Sequence, residues 1–131
     1  MKHLMITLGA LGLITACAPA PVTQQGSVQP TSSSSARCSS GIECQNIGLD
    51  YVGKADHKNY AIASKYFKKS CAYGMSEGCN NLAFLYANAR GVEQSYTLAY
   101  KYWGKACRMG NQAACSNLEL AKDKVAAMHK R

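Results

Sequence analysis

The sequence is short of the residues from which catalytic and metal sites are built. Histidine occurs three times, and beyond residue 16 only as His57 and His129, far apart in the chain. His57 is expected in a loop and His129 near the C-terminus, both as surface residues. Among seven cysteines no two stand with two residues between them, which excludes the Cys-x-x-Cys redox motif and the common zinc spacings. No serine is followed three residues later by lysine, and no Lys-Ser-Gly or Lys-Thr-Gly segment occurs, so the usual serine-acylating arrangement is missing. No catalytic residue, metal or cofactor is expected. The apolar stretch 4–14 is broken by Thr7, Gly9 and Gly12 and falls well short of the roughly 20 residues a bilayer span needs. Between Ala18 and Arg37 there is no acidic residue and little that could enter a core.

The first 16 residues, with Met1-Lys2-His3 ahead of the short apolar run and small residues at its end, read as a secretory signal peptide. Ile14-Thr15-Ala16-Cys17 resembles the bacterial lipobox. That resemblance implies that Cys17 becomes the first residue after cleavage and carries several acyl chains, enough for stable anchoring. Ala18 in place of Asp implies the periplasmic face of the outer membrane. Residues 17–37, with Pro19, Pro21, Pro30, three glutamines and the run 31–35 of threonine and serine, are expected to form a lipidated tether. About 20 residues of such a chain span some 25 Å on average. Residues 38–131 then form one domain, small enough to profit from covalent staples.

Setting Cys17 aside leaves six cysteines, an even number in a chain expected to be exported. They allow fifteen pairings. Three close neighbours stand out: Cys38 with Cys44, Cys71 with Cys79, and Cys107 with Cys115. The last two pairs enclose seven residues each and lie 36 positions apart, so pairing within each is expected. The same offset relates Tyr60 to Tyr96, Ala63 to Ala99, Tyr66 to Tyr102, Phe67 to Trp103, Lys69 to Lys105 and Gly74 to Gly110. Apolar members recur at three and four, the helical spacing. Helices are predicted over about 60–72 and 96–108, with Asn59 and Ser95 as N-caps and Gly74 and Gly110 as left-handed C-cap residues.

A second set of helices is predicted from Cys44, Cys79 and Cys115. In the first two, the cysteine, an aliphatic residue three later, Gly48 or Ala83 four later and a tyrosine seven later form one packing stripe. In the third, Glu119 and Lys122 replace the small residue and the tyrosine, the polar outer face of a terminal capping helix. The first staple is short, so its N-terminal arm is expected to be a turn.

An aromatic-x-Lys-x-Cys segment before a glycine turn, then Cys-x-Asn-Leu-Ala-x-Leu-Tyr and the loop Arg90-Gly91-Val92, resembles SEL-like repeats, relatives of the tetratricopeptide repeat. The cysteine-stapled form is similar to the Helicobacter cysteine-rich protein family. The resemblance covers about residues 41–122 and implies an all-α fold: a short right-handed α-solenoid of about five helices, two repeats plus a C-terminal cap. It also implies penicillin binding with weak β-lactamase activity, for which these residues supply no constellation.

Positions one, two and five after each cysteine face away from the packing stripe: Gln45, Asn46, Leu49; Asn80, Asn81, Phe84; Ser116, Asn117, Leu120. Carboxamides beside apolar residues could hold an extended peptide in a concave groove. Alternatively, Asn46, Asn81 and Asn117 bond to the preceding turn and fix adjacent repeats, and Phe84 packs in the core. The formal net charge is +8. Lys65, Lys68, Lys69, Lys101, Lys105 and Arg108 are expected on the outward side of the 60–72 and 96–108 helices, as a solvated face or a contact for an anionic envelope component. Nucleic acid is not an expected partner outside the cell membrane. The reading is an envelope lipoprotein that binds a peptide or protein as an adaptor or scaffold, with a β-lactam-binding protein or weak β-lactamase as the alternative.

Overall fold

The computed structural model describes residues 37–131, so the expected signal peptide, Cys17 and nearly all of the expected tether lie outside the described residues. Five helices follow one another: α1 (Gly41–Gly53), α2 (His57–Ala72), α3 (Ser76–Ala87), α4 (Tyr96–Arg108) and α5 (Gln112–Met128). Among the described residues there is no strand. Each helix packs on the next in sequence, and α1 also touches α3, which makes the fold a short solenoid of helical hairpins. None of these helices is long and apolar enough to cross a membrane.

Side-chain chemistry sets the helix starts. Ser40, Asp56, Ser95 and Asn111 cap α1, α2, α4 and α5 by accepting from the backbone N–H three residues on. Met75, in the corresponding place before α3, has no such bond. The expected cap of α2 is corrected: Asn59 lies within its first turn and donates its N–H to Asp56 Oδ1 at 2.8 Å. His57 accordingly opens a helix and is not in a loop. The helices containing Cys44, Cys79 and Cys115 begin three residues before those cysteines, which puts the sulfurs in the first turn.

Both α2 and α4 end in the same hydrogen-bonded turn. The N–H of Gly74 bonds to Cys71 O and that of Met75 to Ser70 O, and Gly110 and Asn111 repeat this with Cys107 and Ala106. Gly74 and Gly110 have φ of +87° and +92°, the left-handed geometry this termination requires. Just across each turn lies a disulfide, Cys71–Cys79 or Cys107–Cys115, each with a Cα–Cα distance of 4.6 Å. Closing a loop of about nine residues stabilises a fold by roughly 2.5 kcal/mol in the chain-entropy account. A third bond joins Cys44 to Cys38, which precedes α1 and belongs to no helix, at 5.0 Å.

The core is built from small residues against rings. Ala63, Phe67, Leu82 and Leu85 join α2 to α3. Ala83, Ala99, Trp103, Ala106, Ala114 and Ala121 join α3, α4 and α5. Stacked tyrosines recur with the repeat: Tyr51 on Tyr66 at 5.9 Å and Tyr86 on Tyr102 at 6.0 Å. At the junction of α1, α2 and α3, buried Ser70 donates its Oγ–H to Gly41 O at 2.8 Å, linking residues 29 apart. A Cβ on Gly78 would stand 2.4 Å from that Oγ, so the third helix passes there only because it carries glycine.

The two far loops differ more than their lengths foretell. Residues 54–56 suffice between α1 and α2, because α2 gains an extra turn ahead of Tyr60. Between α3 and α4 the chain takes eight residues, 88–95, and pins them down with Gln94 Nε2 donating to Ala87 O and Ser95 N–H to Tyr86 O. Gly91 (φ +68°) rests on the start of α2, where a Cβ would lie 2.2 Å from Ala61 N. No other residue fits there.

Candidate functional site: an apolar groove closed by one arginine

A groove of about 280 Å³ opens where α1, α2 and α3 meet. α1 supplies Leu49 and Val52, α2 supplies Tyr60 and Phe67, α3 supplies Asn80, Asn81, Phe84 and Leu85, and the loop after α3 supplies Arg90. Phe67 and Leu85 are buried and form the floor, whereas Leu49 and Phe84 are 47% and 44% exposed. Two large apolar side chains thus stay in solvent at a concave site, where they can cover an apolar group of a partner.

Arg90 gives the groove its one full charge. Its Nη1 donates to the Tyr60 hydroxyl at 3.0 Å, and its guanidinium stands 5.3 Å from the Tyr60 ring centre and 5.6 Å from that of Phe84. The loop that carries it is held at Ala89, whose φ is +52°, and by the N–H of Arg90 bonding to Leu85 O. Among the described residues no carboxylate lies within ion-pair distance of Arg90. A cation fixed between two rings and lacking a counter-ion suits an anionic group on a ligand.

Of the residues expected on the open face, the structure brings Leu49, Asn80, Asn81 and Phe84 together at this groove. Phe84, exposed at the lip, is not a core residue. Gln45 is a correction: it is only 7% exposed, with Oε1 buried and unpartnered among the described residues. The physical reason is tertiary: α1 packs on α3 as well as α2, which leaves less of its surface open than its helical phase alone suggests. Asn46 is exposed but does not line the groove. Asn117, half-buried, donates from Nδ2 to Asn80 Oδ1 at 3.5 Å, which is an inter-repeat contact. Ser116 bonds within α5 to Gln112 O, and Leu120 is exposed away from the groove.

Val52, Tyr60, Phe67, Leu85 and Arg90 were not foreseen as lining residues. The tyrosine and phenylalanine carry the pattern of core positions, and Arg90 was visible only as part of the Arg-Gly-Val loop. The groove contains no serine, cysteine, histidine, lysine or carboxylate among its lining residues. Its polar groups are the carboxamides of Asn80 and Asn81, the Tyr60 hydroxyl and the Arg90 guanidinium. Among the described residues no three His, Cys, Asp or Glu side chains gather in a way that could hold a metal ion.

No protein family model matches the chain. No solved structure matches it either. Over 42 residues, 30% of this chain and 12% of the relative, it is 45% identical to the candidate β-lactamase HcpE of Helicobacter pylori strain J99. Over 33 residues, 25% of this chain and 9% of the relative, it is 52% identical to HcpE of strain 26695. The chain is thus similar to HcpE over about a tenth of the length of that protein.

Proposed function

We propose that this protein is a SEL-like repeat scaffold of the bacterial envelope, anchored through a lipid on Cys17, that binds a peptide or protein segment in the groove between α1, α2 and α3. One observation carries the binding role: exposed Leu49 and Phe84, the carboxamides of Asn80 and Asn81 and the ring-stacked guanidinium of Arg90 converge on one concave site. An apolar side chain fits the floor, a peptide backbone matches carboxamides that both donate and accept, and an acidic side chain or terminal carboxylate matches Arg90. The sequence before residue 38 supports export and anchoring at the periplasmic face of the outer membrane.

The test is a peptide-library selection on the oxidised protein, followed by titration of the selected peptides. Asn81→Ala and Arg90→Gln should each weaken binding about tenfold or more, equivalent to about 1.4 kcal/mol, without lowering the melting temperature. Unchanged affinity in both variants would remove the groove assignment. Crosslinking in the native envelope would then identify the natural segment.

The similarity to HcpE favours a second reading, β-lactam binding in the same groove. Arg90 would meet the carboxylate of the drug. Saturable penicillin binding lost in Arg90→Gln would support it, and turnover of a chromogenic cephalosporin by protein free of contaminants would extend it to hydrolysis.

A further inference from the structure

We infer that the outer face of α2 and α4 is a contact surface for an anionic lipid bilayer. Neither helix contains an aspartate or a glutamate, although the chain has seven acidic residues in all. What they carry outward are Lys65, Lys68 and Lys69 on α2 and Lys101, Lys105 and Arg108 on α4, all exposed. Helical spacing sets both trios opposite the buried sides of their helices, Ala63, Phe67, Ser70 and Cys71 on α2 and Ala99, Trp103 and Ala106 on α4. Lys105 Nζ donates to Cys71 O at 3.3 Å, which ties the end of α4 to the end of α2.

None of these six cations lies within ion-pair distance of a carboxylate among the described residues, where the recorded pair is Lys122 with Glu119 on α5. A helix face that is merely solvated usually mixes both signs of charge; this one has a single sign over two helices. It also ends in two exposed side chains with apolar bodies, of which the tyrosine is of the kind that settles among headgroups. Tyr73 is 57% and Met109 37% exposed, at equivalent places in the two glycine turns, each four residues beyond Lys69 or Lys105.

Chain connection selects the partner. Arg37, where the described chain begins, lines one hollow with Lys69 and Tyr73, so the segment that leads back to Cys17 joins the domain at the end of this surface. The cations are mostly lysines on flexible stems; Lys65 and Lys69 border a hollow of about 320 Å³ with Tyr51, Ile62 and Tyr66, while Lys68, Lys101, Lys105 and Arg108 lie outside it. Such an array matches a fluid sheet of phosphate headgroups better than a single defined anion. Glu43 and Glu77, at the starts of α1 and α3, are the acids nearest the turn edge in sequence, and each accepts a hydrogen bond from a neighbouring serine. The surface is separate from the groove, so this inference stands or falls independently of peptide binding, and its choice of a bilayer as partner rests on the proposed lipid anchor at Cys17.

The test uses the full oxidised chain carrying Tyr73→Trp, with the unsubstituted chain, whose Trp103 is buried, as background. Each is mixed with vesicles of brominated phosphatidylcholine, alone or with brominated phosphatidylglycerol. The introduced indole should be quenched more strongly in the anionic vesicles, and the difference should vanish at about 1 M salt, where the screening length is about 3 Å. Adding Lys69→Glu and Arg108→Glu should lower affinity for the anionic vesicles about tenfold or more. Lys122→Glu with Lys124→Glu changes net charge equally on α5 and should have a much smaller effect. Equal quenching in neutral and anionic vesicles, or equal losses from the two charge reversals, would overturn the assignment. Should Lys69→Glu with Arg108→Glu lower the melting temperature, Lys65→Gln with Lys101→Gln serves in its place and must weaken anionic-vesicle binding for the inference to hold.

Discussion

Gly48 and Phe67 are fitted to one another: a Cβ on Gly48 would stand 2.5 Å from the Phe67 ring. The ring is packed among Ala63, Leu82 and Leu85, so it can give way only by shifting against them or into the groove. Gly48→Ala should therefore destabilise the protein by about 1–2 kcal/mol, overpacking outweighing the better helix propensity of alanine. Urea unfolding would measure this, and Phe67→Leu in the same chain should recover part of the loss. A second substitution that adds to the loss would show that the ring is not the obstacle.

Ala89 and Ala55 occupy left-handed backbone, with φ of +52° and +48°, in exposed positions just after α3 and α1. An L side chain there costs about 1–2 kcal/mol, and glycine removes that cost while adding freedom to the unfolded chain. Ala89→Gly should stabilise the fold by about 0.5–1 kcal/mol in thermal melts. A lower melting temperature would mean that the loop is held by contacts of the Ala89 methyl.

Glu43 accepts from both the N–H and the hydroxyl of Ser39 at 2.7 Å, and these bonds hold its carboxyl below the ordinary glutamate range. A carboxyl whose folded value is depressed contributes stability above its unfolded value and loses it as pH falls through the folded one. Melting temperature should thus decline on the acid side of the ordinary glutamate range, and Glu43→Gln should flatten that limb by lowering the neutral plateau slightly, toward the stability the unsubstituted protein has in acid. A limb of unchanged steepness in the variant would assign the acid sensitivity to other carboxylates.

Much of this architecture is legible in the sequence because cysteine, glycine and aromatic residues recur 36 positions apart, and each constrains geometry in its own way. The glycines at 74 and 110 need positive φ, and the helices before them end where that need places them. Helix starts are less legible. Asp56 outcompetes Asn59 as a cap because its carboxylate reaches the Asn59 N–H, and Met75 begins α3 with no capping side chain at all. At the groove, Leu49, Asn80, Asn81 and Phe84 follow from helical phase alone. Gln45 does not, because its burial is set by tertiary packing that the helical phase of α1 alone does not give. Arg90 is invisible for a related reason: its partner Tyr60 is 30 residues away and carries the signature of a packing residue.

All three disulfides lie at one edge of the stack, where α2 and α4 end and α1, α3 and α5 begin, while residues 54–56 and 88–95 lie at the other. Two of these bonds rivet α2 to α3 and α4 to α5, while Cys38–Cys44 closes on the first turn of α1 and ties no two helices. At the opposite edge Arg90 and Tyr60 form a clasp between the 88–95 loop and α2. A guest lodged in the groove would meet that clasp, so its binding would be felt at that edge and hardly at the rivets.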